Sequence, residues 1–117
     1  MQSPKPYREK RPWGEFVRFT QNTPSTVKII TILPGEELSL QRHKMREEFW
    51  HVISGNGTGI VGDTTMPLRP GTECFVPKET NHRLEAGTEL LTVLEISFGD
   101  FDENDIVHIE DKYGRRT

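Results

Sequence analysis

Between two glycines the chain runs Gly35-Glu-Glu-Leu-Ser-Leu-Gln41-Arg-His43-Lys-Met-Arg-Glu-Glu48-Phe-Trp-His-Val-Ile-Ser-Gly55. Gln41 and His43 lie two residues apart, so on a β-strand both side chains point to the same face. Glu48 follows on the next strand-like run, and His82 lies 27 residues beyond the second glycine. These four side chains can close around one metal ion. The fold that this arrangement implies is a small β-barrel.

Strand parity supports the metal site. If His43 faces the interior, Arg42 and Lys44 on either side of it face solvent, where cations are cheaply solvated. If Glu48 faces the interior, Trp50 faces it too and forms a wall of the cavity beside the metal. The pattern therefore places potential ligands inside and cations outside.

The predicted donor set is two imidazoles, one carboxylate and one amide oxygen. Such a mixed nitrogen and oxygen set suits Zn, Mn, Fe, Co or Ni, and zinc is our first choice. Taken singly, each histidine is more often an ordinary surface or core residue, and Glu48 more often a solvated charge. The combination with Pro34-Gly35 and the two bounding glycines favours the metal.

The rest of the chain predicts an all-β fold. Short apolar or alternating runs are separated by turn residues such as Ser54-Gly-Asn-Gly57 and Arg69-Pro-Gly71, and no stretch has the periodicity of an amphipathic helix of three turns. Eight strands at this spacing indicate a barrel or a jelly roll. The predicted strands are Glu15–Thr20, Thr26–Leu33, Leu38–His43, Glu48–Ile53, Thr58–Val61, Glu73–Val76, His82–Glu85 and Leu90–Phe98.

Length and charge bound the domain organisation and the partners. With 117 residues the chain predicts one domain, residues 12–117, preceded by a flexible, polar and proline-containing arm over residues 1–11. The formal net charge of −3 argues against a nucleic-acid partner, because no basic stripe is present to neutralise phosphates. A small anionic metabolite stays possible, since a local arginine cluster suffices to bind it.

Cysteine content and hydropathy indicate the compartment. Cys74 is the only cysteine, so an internal disulfide is excluded and a reducing, cytoplasmic environment is expected. No stretch approaches the roughly 20 apolar residues that a membrane span requires. We expect no membrane association.

The motifs resemble those of the cupins. The first cupin motif is Gly, five residues, His-x-His, three or four residues, Glu, six residues, Gly, and residues 35–55 follow it with Gln41 in place of the first histidine. The second motif is matched at Gly71, Pro77 and His82. The resemblance implies the double-stranded β-helix of the cupins, a jelly-roll barrel.

A narrower resemblance within the cupins covers residues 11–115. It is to the type II mannose-6-phosphate isomerase domain, which often forms the C-terminal part of bifunctional mannose-1-phosphate guanylyltransferases. The nucleotidyltransferase half of those enzymes has no counterpart in this sequence, so no guanylyltransferase activity is expected. The matching segments are Arg11-Pro-Trp-Gly14, Leu38-Ser-Leu-Gln41-x-His43, Arg46-x-Glu48-x-Trp50, His82-Arg-Leu84, Asp105-Ile-Val107 and Tyr113-Gly-Arg115.

Besides Gln41, three positions depart from these patterns. Glu79 replaces the second glycine of the second cupin motif, and Ala86 replaces its asparagine. Phe49 stands where the type II domain usually has histidine.

The resemblance implies a metal-dependent isomerase that converts mannose 6-phosphate to fructose 6-phosphate through a cis-enediol. Arg46 and Glu48 are then the predicted catalytic residues. Arg46, Arg83, Lys78 and Trp50 are predicted to bind the sugar phosphate, since guanidinium groups pair with phosphate oxygens. Parity favours Arg46 over Arg83, which follows an inward His82. The identity of the general base stays open.

Two other functions remain compatible with the sequence. One is a non-catalytic cupin that binds a metal or a sugar phosphate, with Phe49 marking a lost catalytic position. The other is an Fe(II) dioxygenase, because two histidines and a glutamate also suit that chemistry. In each case a homodimer is expected, since exposed strands of small cupins often pair between subunits.

Overall fold

The computed structural model describes residues 6–110, and in this range the chain forms eleven β-strands and no helix. No helix that could cross a membrane is therefore present among these residues. The strands are β1 (Tyr7–Arg11), β2 (Gly14–Arg18), β3 (Ser25–Ile32), β4 (Leu40–Arg42), β5 (Arg46–Ser54), β6 (Gly57–Val61), β7 (Thr64–Leu68), β8 (Glu73–Val76), β9 (His82–Ala86), β10 (Leu91–Gly99) and β11 (Val107–Glu110).

Two antiparallel sheets enclose the core. The first has the strand order β3-β10-β5-β8, and the second has the order β11-β4-β9-β6-β7. Their facing side chains meet in one apolar cluster, which contains Trp50, Val76 and Val93 from the first sheet and Leu68 and Leu84 from the second. The predicted all-β fold is confirmed.

The alternation along β5 decides which side chains enter the barrel. Glu48, Trp50 and Val52 face the interior and are almost fully buried. Phe49 points to the other face of the sheet, where it packs with Ile96 and Phe98 of β10 in a second, smaller cluster. Sequence parity predicted the inward set correctly, because successive residues of a strand face opposite sides.

The predicted flexible arm over residues 1–11 is wrong for its second half. Tyr7–Arg11 forms β1 and pairs with β2 in a two-stranded sheet. The guanidinium of Arg18 stacks over the ring of Tyr7, 4.5 Å from its centroid, and Arg8 forms an ion pair of 3.0 Å with Glu73 of β8. These contacts order a polar segment whose composition alone indicates no strand. Residues 1–5 lie outside the described range.

Two further strands were not predicted. β7 contains Pro67, which argues against a central strand, but β7 is an edge strand, where the missing N–H is tolerated. β11 belongs to the charged tail and pairs with β4. The quoted segment Tyr113–Arg115 lies outside the described residues.

Both glycines that bound the first motif have a left-handed backbone. Gly35 has φ +76° and Gly55 has φ +91°. A Cβ atom on Gly55 would also lie 2.0 Å from the carbonyl oxygen of Leu90, well inside van der Waals contact. The strand that carries Glu48 therefore ends at a position that only glycine fits.

Candidate metal centre

Three buried side chains converge inside the barrel. His43 directly follows β4, Glu48 lies in β5 and His82 begins β9, so both sheets contribute. One potential ligand atom from each residue lies within 4.8 Å of those of the other two. They line a cavity of about 240 Å³.

Hydrogen bonds fix both imidazole rings with Nε2 directed at Glu48. Nδ1 of His43 lies 2.6 Å from the backbone oxygen of Asp105, and Nδ1 of His82 lies 2.8 Å from that of Thr80. A carbonyl oxygen only accepts, so Nδ1 carries the proton in each ring and Nε2 keeps its lone pair. The two Nε2 atoms lie 3.5 Å and 3.3 Å from Glu48 carboxylate oxygens. This is the tautomer that a metal ligand requires.

Charge states in the cluster favour a bound cation. Burial lowers the pKa of His43, which keeps this ring neutral at pH 7. Burial by itself would raise the pKa of Glu48, but contact with His82 and the charge of Arg46 outweigh it and lower the pKa to about 2. Glu48 is therefore ionised throughout the physiological range.

The hydrogen bonding of the two Glu48 carboxylate oxygens indicates whether a metal ion fits the cluster. Oε2 accepts a hydrogen bond of 3.2 Å from Nε of Arg46, whereas the buried Oε1 has no hydrogen-bond partner among the described residues. A buried carboxylate oxygen without a donor is costly unless a cation compensates it. With two Nε2 lone pairs directed at the same carboxylate, the cluster fits a divalent transition metal.

Gln41 lies in the same cavity, as the sequence predicted. Its Cα is the register partner of His82 across β4 and β9, and its Nε2 lies 3.5 Å from the backbone oxygen of Ser39. The fold thus brings together all four residues that strand parity predicted as ligands.

Arg46 enters the cavity, but its guanidinium is bound to protein groups. Its Nε donates to Glu48, its Nη1 donates to the backbone oxygen of Asp102 at 3.3 Å, and its Nη2 lies 3.2 Å from Nε2 of His43. The guanidinium also lies 4.4 Å from the ring centroid of Phe101. These contacts position Glu48 and leave Arg46 poorly placed for the phosphate contact expected from the sequence.

Of the other three residues predicted to bind substrate, one lines the cavity and two do not. Trp50 lines the cavity as expected. Arg83 is buried, but Nη1 of its guanidinium forms ion pairs with Glu37 at 3.1 Å and with Glu110 at 2.9 Å. Its side chain therefore does not line the cavity. Lys78 is exposed and does not line the cavity either. Arg83 stays outside the site because it follows the inward His82 on β9, whereas Lys78 lies in the exposed turn between β8 and β9.

Three charged residues in the cavity, Lys28, Glu95 and Glu103, were missed by the sequence analysis. Lys28, Glu95 and Trp50 are register partners abreast across β3, β10 and β5 on the inner face. Nε1 of Trp50 donates to Glu95 at 3.3 Å. Burial, followed by the charge of Glu48, raises the pKa of Glu95 to about 7. A carboxylate at an inward position of an otherwise apolar strand was the signal that could have identified it.

Residues 100–106, which we call the strap, link β10 to β11 beside the cavity. Asp105 is its anchor, because its two carboxylate oxygens accept from the backbone N–H groups of Lys44 and Met45, both at 2.8 Å. The backbone oxygen of Asp105 also accepts a hydrogen bond from Nδ1–H of His43. The strap therefore holds one of the candidate ligands in place.

The fold and this cluster define a cupin. The structure is similar to that of a cupin protein from Bacteroides fragilis, with a TM-score of 0.60 over 71% of this chain and 75% of that chain, at 18% identity. Residues 4–111 match the sequence model of the family described as mannose-6-phosphate isomerase C-terminal, and the chain belongs to this family. Both resemblances inferred from the motifs are confirmed.

Curated relatives are larger proteins. The xanthan biosynthesis protein XanB of Xanthomonas campestris pv. campestris is 38% identical over 107 residues, which are 90% of this chain and 23% of XanB. The mannose-1-phosphate guanylyltransferase ManC of Salmonella typhimurium is 35% identical over 107 residues, 90% of this chain and 22% of ManC. The chain therefore spans less than a quarter of the length of these relatives.

Proposed function

We propose that the protein is a metal-dependent sugar-phosphate isomerase that interconverts mannose 6-phosphate and fructose 6-phosphate. The observation that carries this proposal is the buried cluster of His43, Glu48 and His82 in a member of the mannose-6-phosphate isomerase C-terminal family. The cavity of about 240 Å³ is smaller than the roughly 300–1,000 Å³ of drug-sized sites, so it suits a monosaccharide better than a nucleotide.

Isomerisation through a cis-enediol moves one proton from C2 to C1 and one hydroxyl proton from O2 to O1. It therefore needs a group that carries the carbon-bound proton and a positive environment for the developing enediolate oxygen. Gln41, His43, Glu48 and His82 would hold the divalent metal, zinc as first choice, which when bound supplies Lewis-acid polarisation of the two sugar oxygens.

Protein groups supply the remaining requirements. Glu95 is the buried carboxyl group in the cavity outside the ligand set, and Trp50 holds it by a hydrogen bond, so it is placed to take the proton from C2 and return it to C1. Arg46 keeps Glu48 ionised and directed at the histidines. Trp50 also packs edge-on against His82, which excludes water from that side of the cavity.

The deciding experiment is metal removal followed by separate restoration of Zn, Mn, Co, Ni or Fe(II), with conversion of mannose 6-phosphate measured for each. The proposal expects turnover that depends on the metal and is lost with Glu95→Gln, while Glu95→Gln keeps its metal. Glu48→Ala should lose the metal itself. Bound metal without turnover in any form would refute the isomerase.

The two competing functions have separate readouts in the same preparation. A dioxygenase consumes O2 with Fe(II), and a binding protein retains sugar phosphate without converting it. The sequence argument for a non-catalytic cupin was Phe49, and this side chain packs on the outer face of the first sheet, away from the cavity. A cytoplasmic location is part of the proposal, because the lone Cys74 is typical of a reducing compartment.

A further inference from the structure

A sugar phosphate brings a phosphoryl dianion into the cavity, and the cavity must offer it a cation. The lysine and arginine side chains that line the cavity in the described range are those of Lys28 and Arg46. The Arg46 guanidinium donates to Glu48 and to the backbone of the strap, and its remaining nitrogen lies against the imidazole of His43. Lys28 is thus the cavity cation whose charge an incoming ligand can use.

Lys28 is held at the mouth of the cavity by weak contacts. Its ammonium lies 4.6 Å from the ring centroid of Phe101 and 3.8 Å from Oε1 of Glu103, both in the strap. The Lys28 side chain is 39% exposed and that of Glu103 is 79% exposed. An exposed ion pair of this length stabilises the protein little, so exchanging the carboxylate for a doubly charged phosphoryl group costs little.

Along one face of the cavity, the groups that would bind the substrate follow the order of the phosphoryl and reacting ends of the sugar phosphate. Lys28, Glu95 and Trp50 lie abreast on three adjacent strands, and Trp50 contacts the metal ligand His82. Strand spacing makes this row about 10 Å across. In mannose 6-phosphate the phosphoryl group is at one end of the carbon chain and the reacting C1 and C2 at the other. A phosphoryl group at Lys28 directs C1 and C2 toward Glu95 and the metal ligands.

Resting on the proposed function, we infer that Lys28 is the phosphate-binding residue of this site, and that Glu103 of the strap occupies the phosphoryl position until substrate replaces it. Phe101 keeps the ammonium at the mouth of the cavity by its cation–π contact. Lys28 thereby selects phosphorylated over free sugars.

The test is calorimetric binding of fructose 6-phosphate and of fructose to the metal-loaded protein. Lys28→Gln should weaken fructose 6-phosphate binding about tenfold or more, the loss of a charge-assisted contact, and leave fructose unaffected. Lys28→Arg should restore most of the affinity, and Glu103→Gln should tighten binding. Lys44→Gln, an exposed lysine outside this cavity, is the matched control.

The outcomes separate this inference from the isomerase proposal. Binding that depends on Lys28 but is not followed by turnover refutes the isomerase and leaves the phosphate role of Lys28 intact. Isomerisation with an unchanged KM in Lys28→Gln refutes the role of Lys28 and leaves the isomerase intact. An equal loss of fructose and fructose 6-phosphate binding in Lys28→Gln, or no binding of fructose 6-phosphate by the unaltered protein, overturns the inference. Equal metal content and melting curves in all variants show that folding is not the cause.

Discussion

Phe49 stands where the type II domain usually has histidine, and the residues packed around it explain the effect of this replacement. The side chain is 6% exposed and packs with Ile96, Phe98 and the half-buried Phe19, whereas the candidate ligand Glu48 lies on the opposite face of β5. An imidazole at this position would be close in sequence to Glu48 and yet unable to reach the cavity. Phe49 therefore stabilises the first sheet by apolar packing.

We predict that Phe49→His lowers the free energy of unfolding by about 2–4 kcal/mol, because it removes apolar packing and buries a polar ring. Metal stoichiometry should not change in the folded fraction. Urea unfolding and elemental analysis measure the two effects, with Phe49→Leu as the milder control. A gain or loss of bound metal in folded Phe49→His would show that position 49 reaches the site.

Glu79 carries a backbone cost at the position where the second cupin motif has glycine. Its φ is +57°, in the left-handed region that a side chain disfavours, and its N–H donates to the backbone oxygen of His43 at 2.7 Å. The hydrogen bond ties the turn before β9 to a candidate ligand, so the conformation is kept although the residue is not glycine.

Glu79→Gly should accordingly raise the free energy of unfolding by about 0.5–1 kcal/mol, since it relieves this strain while keeping the hydrogen bond. The control is Glu89→Gly, an exposed position without positive φ, where the added backbone freedom should instead destabilise the protein. Chemical denaturation of both variants decides the matter. Destabilisation by both substitutions would show that Glu79 makes a contact worth more than its backbone cost.

At the scale of elements, the strap connects the end of the first sheet to β11 and holds the ligand segment between β4 and β5. Asp105 makes three of these connections, two through its carboxylate to Lys44 and Met45 and one through its backbone oxygen to His43. The two N–H hydrogen bonds outweigh the effect of partial burial and lower the pKa of Asp105. The candidate metal site is thus held by contacts with a segment about sixty residues away in sequence.

Asp105→Ala should cost about 1–2 kcal/mol of stability and weaken metal binding about 10–100-fold, because His43 loses its fixed surroundings while every direct ligand remains. Competition with a chelator measures the metal affinity. Asp102→Ala is the matched control, since it removes a carboxylate from the same strap but keeps the backbone oxygen that Arg46 binds. Equal metal affinity in the Asp105 and Asp102 variants would refute the anchoring role.

At the scale of the molecule, the sequence predicts what depends on strand parity and little of what depends on contact between distant segments. β3, β5 and β10 were predicted because their apolar residues alternate, and Gln41, His43 and Glu48 followed from the same rule. Strand parity along β10 could also have predicted the inward position of Glu95. The ion pair of Lys28 with the strap and the anchoring by Asp105 were not, because they depend on how the segment after β10 crosses the barrel.

We expect the interface of the predicted homodimer to form at the edge of the first sheet. β3 is an edge strand, and its outward residues Val27 and Ile29 are 56% and 65% exposed, with no charged side chain between them on that face. An apolar edge without such protection favours pairing with an identical strand. A two-fold axis beside β3 would pair the strand with its own copy and bring the outward residues of the two copies side by side in a self-complementary interface.

We therefore predict a particle of twice the 13.5 kDa chain mass in light scattering, and a monomer for Ile29→Lys, whose charge would lie beside that of its own copy and repel it. Val107→Lys is the control, because Val107 is also exposed and apolar but lies on β11, the edge of the other sheet. A monomer for the unaltered protein would contradict the prediction outright. Dissociation by Val107→Lys and not by Ile29→Lys would move the interface to the second sheet.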